Sequence, residues 1–148
     1  ELYERDQVCA LDMDINVNTE QLFQKLAEGF TNMAHHDGPY LVHCLEGKDR
    51  TGVACMLLEA LAGASEDEII QDYMKTYDNY YSVTEDTDAE LYSKIRAANI
   101  DKMITFITDG ESVDPAKPDQ LSKYAEKFLV DQGMKPDDVQ ALKDKLCR

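Results

Sequence analysis

At 148 residues, 43% hydrophobic and 30% charged, the chain has the length and balance of one soluble domain with a core of useful size. Fifteen Lys and Arg stand against thirty Asp and Glu, and a formal net charge of −15 excludes nucleic acid and anionic lipid surfaces as broad electrostatic partners. No run approaches the roughly 20 apolar residues that cross a bilayer, which excludes membrane insertion by a helix and leads to the expectation of a soluble protein, cytoplasmic or secreted.

In chain order, the stretch "VCALDMDINV" within residues 1–18 alternates in part and predicts an extended segment. Leu22, Leu26, Phe30 and Met33 then recur at helical spacing, with Asn18 as the expected N-cap, and Asp37-Gly38-Pro39 stops that helix. "YLVHC", residues 40–44, is a short apolar run bounded by turn signals, which predicts a buried strand. Thr51 to Leu61 reads as a helix ended by Gly63. Ser65 and Glu68 form a capping box that opens the next helix, Glu66 to Asn79. Tyr73, Tyr77, Tyr80 and Tyr81 make an aromatic patch near its end, either core packing or a substrate-facing wall. Ala89–Ala98 and Ile100–Thr108 read as helices, although "ITFIT" also suits a strand by propensity. Pro118 and Pro136 are placed for the first turns of two closing helices, and Leu121, Tyr124, Ala125, Phe128 and Leu129 give the first of these an apolar face.

The chemistry concentrates between residues 43 and 52. An apolar segment ends at His43-Cys44, five residues follow, and a helix starts near Arg50-Thr51. So short a loop against a helix start turns its backbone N–H groups inward, and the helix N-terminus adds partial positive charge to the same place. The substrate-binding candidates are therefore Leu45, Glu46, Gly47, Lys48, Asp49 and Arg50. The Arg50 guanidinium can grip two oxygens of a phosphoryl group. Cys44 feels the same amides, which favour its thiolate, and a thiolate held against phosphorus is an in-line nucleophile. Thr51 can donate to that sulfur as it leaves. Cys9, Cys44, Cys55 and Cys147 include no CxxC pair, and His35, His36 and His43 lie at no metal-finger spacing from them. Free thiols and no metal or other cofactor are expected.

The string "HCLEGKDRTG" closely resembles the signature of the bacterial cysteine-dependent tyrosine and dual-specificity phosphatases, and "GPYLVHCLEGKDRTGVACMLLEALAG" and "DYMKTYDNYY" are similar to this group as well. The resemblance implies an α/β fold, a sheet flanked by helices with a helix-rich C-terminal part. It implies that residues 1–148 are the C-terminal part of a single catalytic domain, a strand-loop-helix core over 11–64 with a helical extension over 65–148, some N-terminal strands being absent or supplied by a complementary N-terminal fragment. It further implies that Cys44 forms a phosphocysteine, Arg50 binds the phosphoryl oxygens, His43 supports the thiolate and Thr51 helps release sulfur. A general acid is also implied. Asp12 and Asp14 stand 32 and 30 residues before Cys44, and Asp49 lies within the loop; Asp14 is preferred, with the other two open.

The resulting expectation is a protein-tyrosine or dual-specificity phosphatase acting on a phosphotyrosine-containing protein. Two alternatives remain. A phosphoinositide phosphatase would use Lys48 as an added cation, though that lysine equally offsets Glu46 and Asp49. A phosphate-binding pseudophosphatase would bind without turnover.

Overall fold

The computed structural model describes residues 8–13, 20–114, 117 and 119–147. Seven helices make up nearly all of its regular structure: α1 Glu20–His35, α2 Asp49–Ala62, α3 Glu66–Tyr81, α4 Ala89–Ile95, α5 Lys102–Thr108, α6 Asp119–Asp131 and α7 Pro136–Leu146. A π-helical turn, Arg96–Asp101, joins α4 to α5. It takes up the break expected near Asn99, and "ITFIT" is helical, burying Ile104 and Ile107. Burial decides over strand propensity there.

The α/β expectation is overturned, because the described residues hold no strand and no sheet. "YLVHC" has no regular structure and makes no backbone–backbone hydrogen bond to another described residue. A strand exists only through a ladder partner, and periodicity in one segment cannot supply it. Leu41 is 86% exposed, so the run is also not the buried strand that its composition suggested.

The helix readings hold closely. The capping box of α3 is complete: Glu68 N–H donates to Ser65 Oγ at 3.3 Å, and Ser65 N–H donates to Glu68 Oε2 at 2.8 Å. Helix α3 runs two residues past the expected Asn79. Gly63 ends α2 in the left-handed region at φ 97°. Pro136 sits in the first turn of α7. Asn18, Asp14 and Pro118, and residues 14–17 of the expected extended segment, lie outside the described residues.

Helix α2 is the organising element, packed by α3, α6 and α7, while α1 lies along α7. Its Val53, Ala54, Met56, Leu57, Ala60 and Leu61 are buried. Phe23 of α1 meets Phe128 of α6 edge-on at 5.1 Å between ring centroids. Ser122 Oγ donates to Leu61 O at 2.9 Å, satisfying a buried hydroxyl at the foot of α2. The effect is a helix gripped firmly at its C-terminal end, whose N-terminal end faces the loop that carries Cys44.

Candidate active site

Cys44 closes the irregular segment after α1, residues 45–48 bend, and Asp49 starts α2. Gly47 has φ +72°, a conformation that side-chain-bearing residues rarely adopt, and this turns the loop back over the helix start. Gly52 serves differently. A Cβ there would lie 2.5 Å from the Tyr73 ring, so the missing side chain lets the first turn of α2 approach α3. Lys48, at the N-cap, makes no side-chain cap hydrogen bond. The first amides of α2 are thus free to serve another acceptor.

The group these amides favour as an anion is the Cys44 sulfur. Burial is the largest single influence and opposes the thiolate. The Thr51 hydroxyl and the backbone amides of Thr51, Gly47 and Glu46 outweigh it together, bringing the thiol from 9.0 down to about 7. The Thr51 hydroxyl is buried without a hydrogen-bond partner, and it lies near enough to the sulfur to favour its thiolate form. An anion at this position is therefore already stabilised by the loop before any ligand arrives.

Arg50 Nη1 donates to the carbonyl oxygen of Met13 at 3.0 Å. A neutral carbonyl orients the guanidinium and leaves its charge available. Two residues earlier, the Leu11 side chain packs against Gly29 of α1, where an added Cβ would stand 2.8 Å from it. Lys48 Nζ is 3.4 Å from Glu46 and 3.8 Å from Asp49. It also lies 5.7 Å and 5.5 Å from the ring centroids of Tyr77 and Tyr81.

The structure sets the Thr51 hydroxyl and the backbone amides of Glu46, Gly47 and Thr51 around Cys44, and places Lys48, Asp49 and Arg50 where that loop enters α2. Leu45 and Glu46 point to solvent, Leu45 being 89% exposed; it is the backbone of Glu46, through its amide, that faces the sulfur. The exposed ring of His43 has Nδ1 3.4 Å from the carbonyl oxygen of Cys44. Asp12 is exposed, adopts φ 48° and adjoins the Met13 carbonyl that Arg50 binds. Asp14 lies outside the described residues. Among the described residues no group of three or more His, Cys, Asp or Glu side chains is arranged to hold a metal ion. Cys9, Cys44, Cys55 and Cys147 are all free thiols.

Sequence reasoning missed two features. Met13 contributes a backbone carbonyl, which no residue type signals. Behind the loop, Gly47, Thr51, Gly52, Cys55, Glu59 and Asp72 line a cavity of about 50 Å³. Burial there, reinforced by the neighbouring Asp72 carboxylate and its hydrogen bond, pushes the Glu59 carboxyl up to about 7. A glutamate in an otherwise apolar helical run was the available signal.

Comparison with known proteins bears on the family of the chain. A model of the tyrosine phosphatase family matches residues 6–148. The chain is 44% identical over 54 residues to a tyrosine-protein phosphatase of Nostoc commune, a stretch covering 36% of this chain and 16% of that protein. It is 37% identical over 70 residues to a candidate tyrosine-protein phosphatase of Cupriavidus necator, covering 47% of this chain and 26% of that one. The matched stretches thus span well under a third of these relatives' lengths. No solved structure matches.

Proposed function

Since the chain belongs to the tyrosine phosphatase family, we propose that it hydrolyses phosphate monoesters, foremost phosphotyrosine in proteins, through a phosphocysteine intermediate. The observation that supports this most is the Cys44 sulfur set among the Thr51 hydroxyl and three backbone amides, with a pKa of about 7. At neutral pH such a thiol is ionised in good part, and the thiolate is the reactive form.

The loop amides and Arg50 bind the phosphoryl oxygens, and the thiolate attacks phosphorus in line. As the S–P bond forms, the P–O bond to the leaving phenolate breaks. A phenolate with a pKa near 10 leaves more readily when protonated; Asp14, Asp12 and Asp49 are the carboxyls open to that role. Water then attacks phosphorus, and the S–P bond breaks with the Thr51 hydroxyl donating to the departing thiolate. Amides aimed at developing charge cost no reorganisation during the reaction. Dual specificity toward phosphoserine and phosphothreonine fits the same chemistry. The phosphoinositide alternative draws support from Lys48 alone, whose ammonium is already engaged by Glu46, Asp49 and two tyrosine rings.

Cys44→Ser tests the mechanism. Hydrolysis of an aryl phosphate should fall by about 10⁴-fold or more, the scale seen when a nucleophile is removed. Binding of inorganic phosphate should persist, because the amides and Arg50 remain. A Cys44→Ser protein as active as the parent would overturn the phosphocysteine route. A parent that binds phosphate but never turns over would instead be a phosphate-binding protein.

A further inference from the structure

The hydrolytic reading leaves the α3 tyrosines unexplained. Tyr73 belongs to the core, but Tyr77 is only half-buried and Tyr80 and Tyr81 are exposed. Residues 73, 77 and 81 are four apart, so the helix sets them in one row. Their rings succeed one another at 5.9 Å and 5.8 Å between centroids. Exposed rings add little to a core, so the outer part of this row has some other use.

The row meets Lys48. Its Nζ stands 5.7 Å from the Tyr77 centroid and 5.5 Å from that of Tyr81, inside the ~6 Å over which a ring face attracts a cation. Glu46 and Asp49 reach the same ammonium at 3.4 Å and 3.8 Å. On a flexible four-carbon stem, the ammonium would otherwise be free to collapse onto those carboxylates, which neutralise it. The ring faces hold it as well, and unlike the carboxylates they carry no formal charge to offset its own. Arg50 is treated alike, being held by the neutral carbonyl of Met13. Each cation of the loop therefore has at least one uncharged partner that orients it, Lys48 beside its two carboxylates.

We propose that Tyr77 and Tyr81 are positioning residues that hold the Lys48 ammonium at the flank of the Cys44 loop, so that it adds to the attraction for the substrate's phosphate. What Lys48 acts upon rests on the phosphate-ester reading above; the ring contact itself does not.

Tyr81 is the position to test, since it is exposed and its replacement spares the core, whereas Tyr77 leans on Tyr73. Tyr81→Leu removes the ring and Tyr81→Phe keeps it. Each is to be measured for inorganic phosphate affinity by calorimetry and for kcat and KM on an aryl phosphate, with Lys48 present and in a Lys48→Met background. Tyr81→Leu should weaken phosphate binding and raise KM about threefold with kcat unchanged, a loss of the size expected for one exposed cation–ring contact. Tyr81→Phe should retain the parent's affinity. With Lys48→Met in place, Tyr81→Leu should add nothing; an equal loss in both backgrounds would overturn the proposal. Separately, the Lys48 ε-methylene protons should be shifted upfield by the rings in NMR spectra and return toward the unshifted position in Tyr81→Leu. An unshifted signal in the parent would refute the contact however active the protein is. A shifted signal in a parent that binds no phosphate would overturn the phosphate-ester reading, and with it the role given to Lys48.

Discussion

The two ends of α2 meet opposite requirements. From Val53 to Leu61 the helix is core, gripped from α3, α6 and α7. Its first turn, 49–52, is half-exposed and lacks a side-chain cap, and it is held by particular contacts such as Arg50 to Met13 and Gly52 beneath Tyr73. The buried end fixes the axis, so the open end can aim unpaired amides at an anion without having to collapse on its own polar groups. Rigid support below and unmet hydrogen-bond capacity above are what a preorganised anion site needs.

The comparison breaks first at the buried end. Leu57 has no exposed surface. Leu57→Ala should cost about 3 kcal/mol through lost burial and the cavity left behind, measured by urea denaturation. Activity per folded molecule should hardly change. A variant with unaltered stability would show that α2 is not anchored where the packing places its anchor.

Gly52→Ala probes the junction and should have a smaller effect on stability. Alanine favours the helix by about 1 kcal/mol over glycine. Against this, its Cβ would stand 2.5 Å from the buried Tyr73 ring, and such overpacking costs about 1–3 kcal/mol. The net expectation is modest destabilisation together with a loss of kcat/KM per folded molecule, because the ring that must move borders the cavity behind Gly47 and Thr51. Activity and stability falling together would distinguish this position from Leu57. A rise in Tm would mean that Tyr73 gives way without cost.

These contrasts also explain what was legible in the sequence. Helices α1, α3, α6 and α7 could be read because one apolar face or one cap sufficed: Leu22, Leu26 and Phe30, Ser65 with Glu68, Pro136. "YLVHC" was misread because a strand is defined by a partner and not by its own residues. At the site, Cys44, Arg50 and Thr51 stood out by residue type and spacing. The Met13 carbonyl did not, since a backbone group carries no compositional mark. The tyrosine row could be seen at its spacing of four, but Lys48 as its occupant could not, because that contact depends on the packing angle between the loop and α3.

The smallest expected effect concerns Glu59, which lies within the anchoring end of α2 and lines the cavity beside Asp72. Burial first, then the Asp72 charge and hydrogen bond, raise its carboxyl from 4.5 to about 7. Below pH 4.5 the carboxyl is protonated whether the chain is folded or not, and it carries no penalty. Between 4.5 and 7 the folded state holds a proton that the unfolded state has released, so stability falls as pH rises, and above 7 the penalty is complete. Glu59 is only half-buried, and after discounting for solvent screening the effect is on the order of 1 kcal/mol. Glu59→Gln stays neutral at every pH. Its Tm should match the parent's near pH 4.5, then exceed it by a margin that grows through pH 7 and levels off by pH 8. A parent whose margin against Glu59→Gln is the same at pH 5 and pH 8 would refute the buried carboxyl. If Glu59→Gln instead leaves Tm alone at pH 8 but shifts phosphate affinity, Glu59 belongs functionally with the open first turn, and the division of α2 into an anchoring end and a reacting end must be drawn lower in the helix.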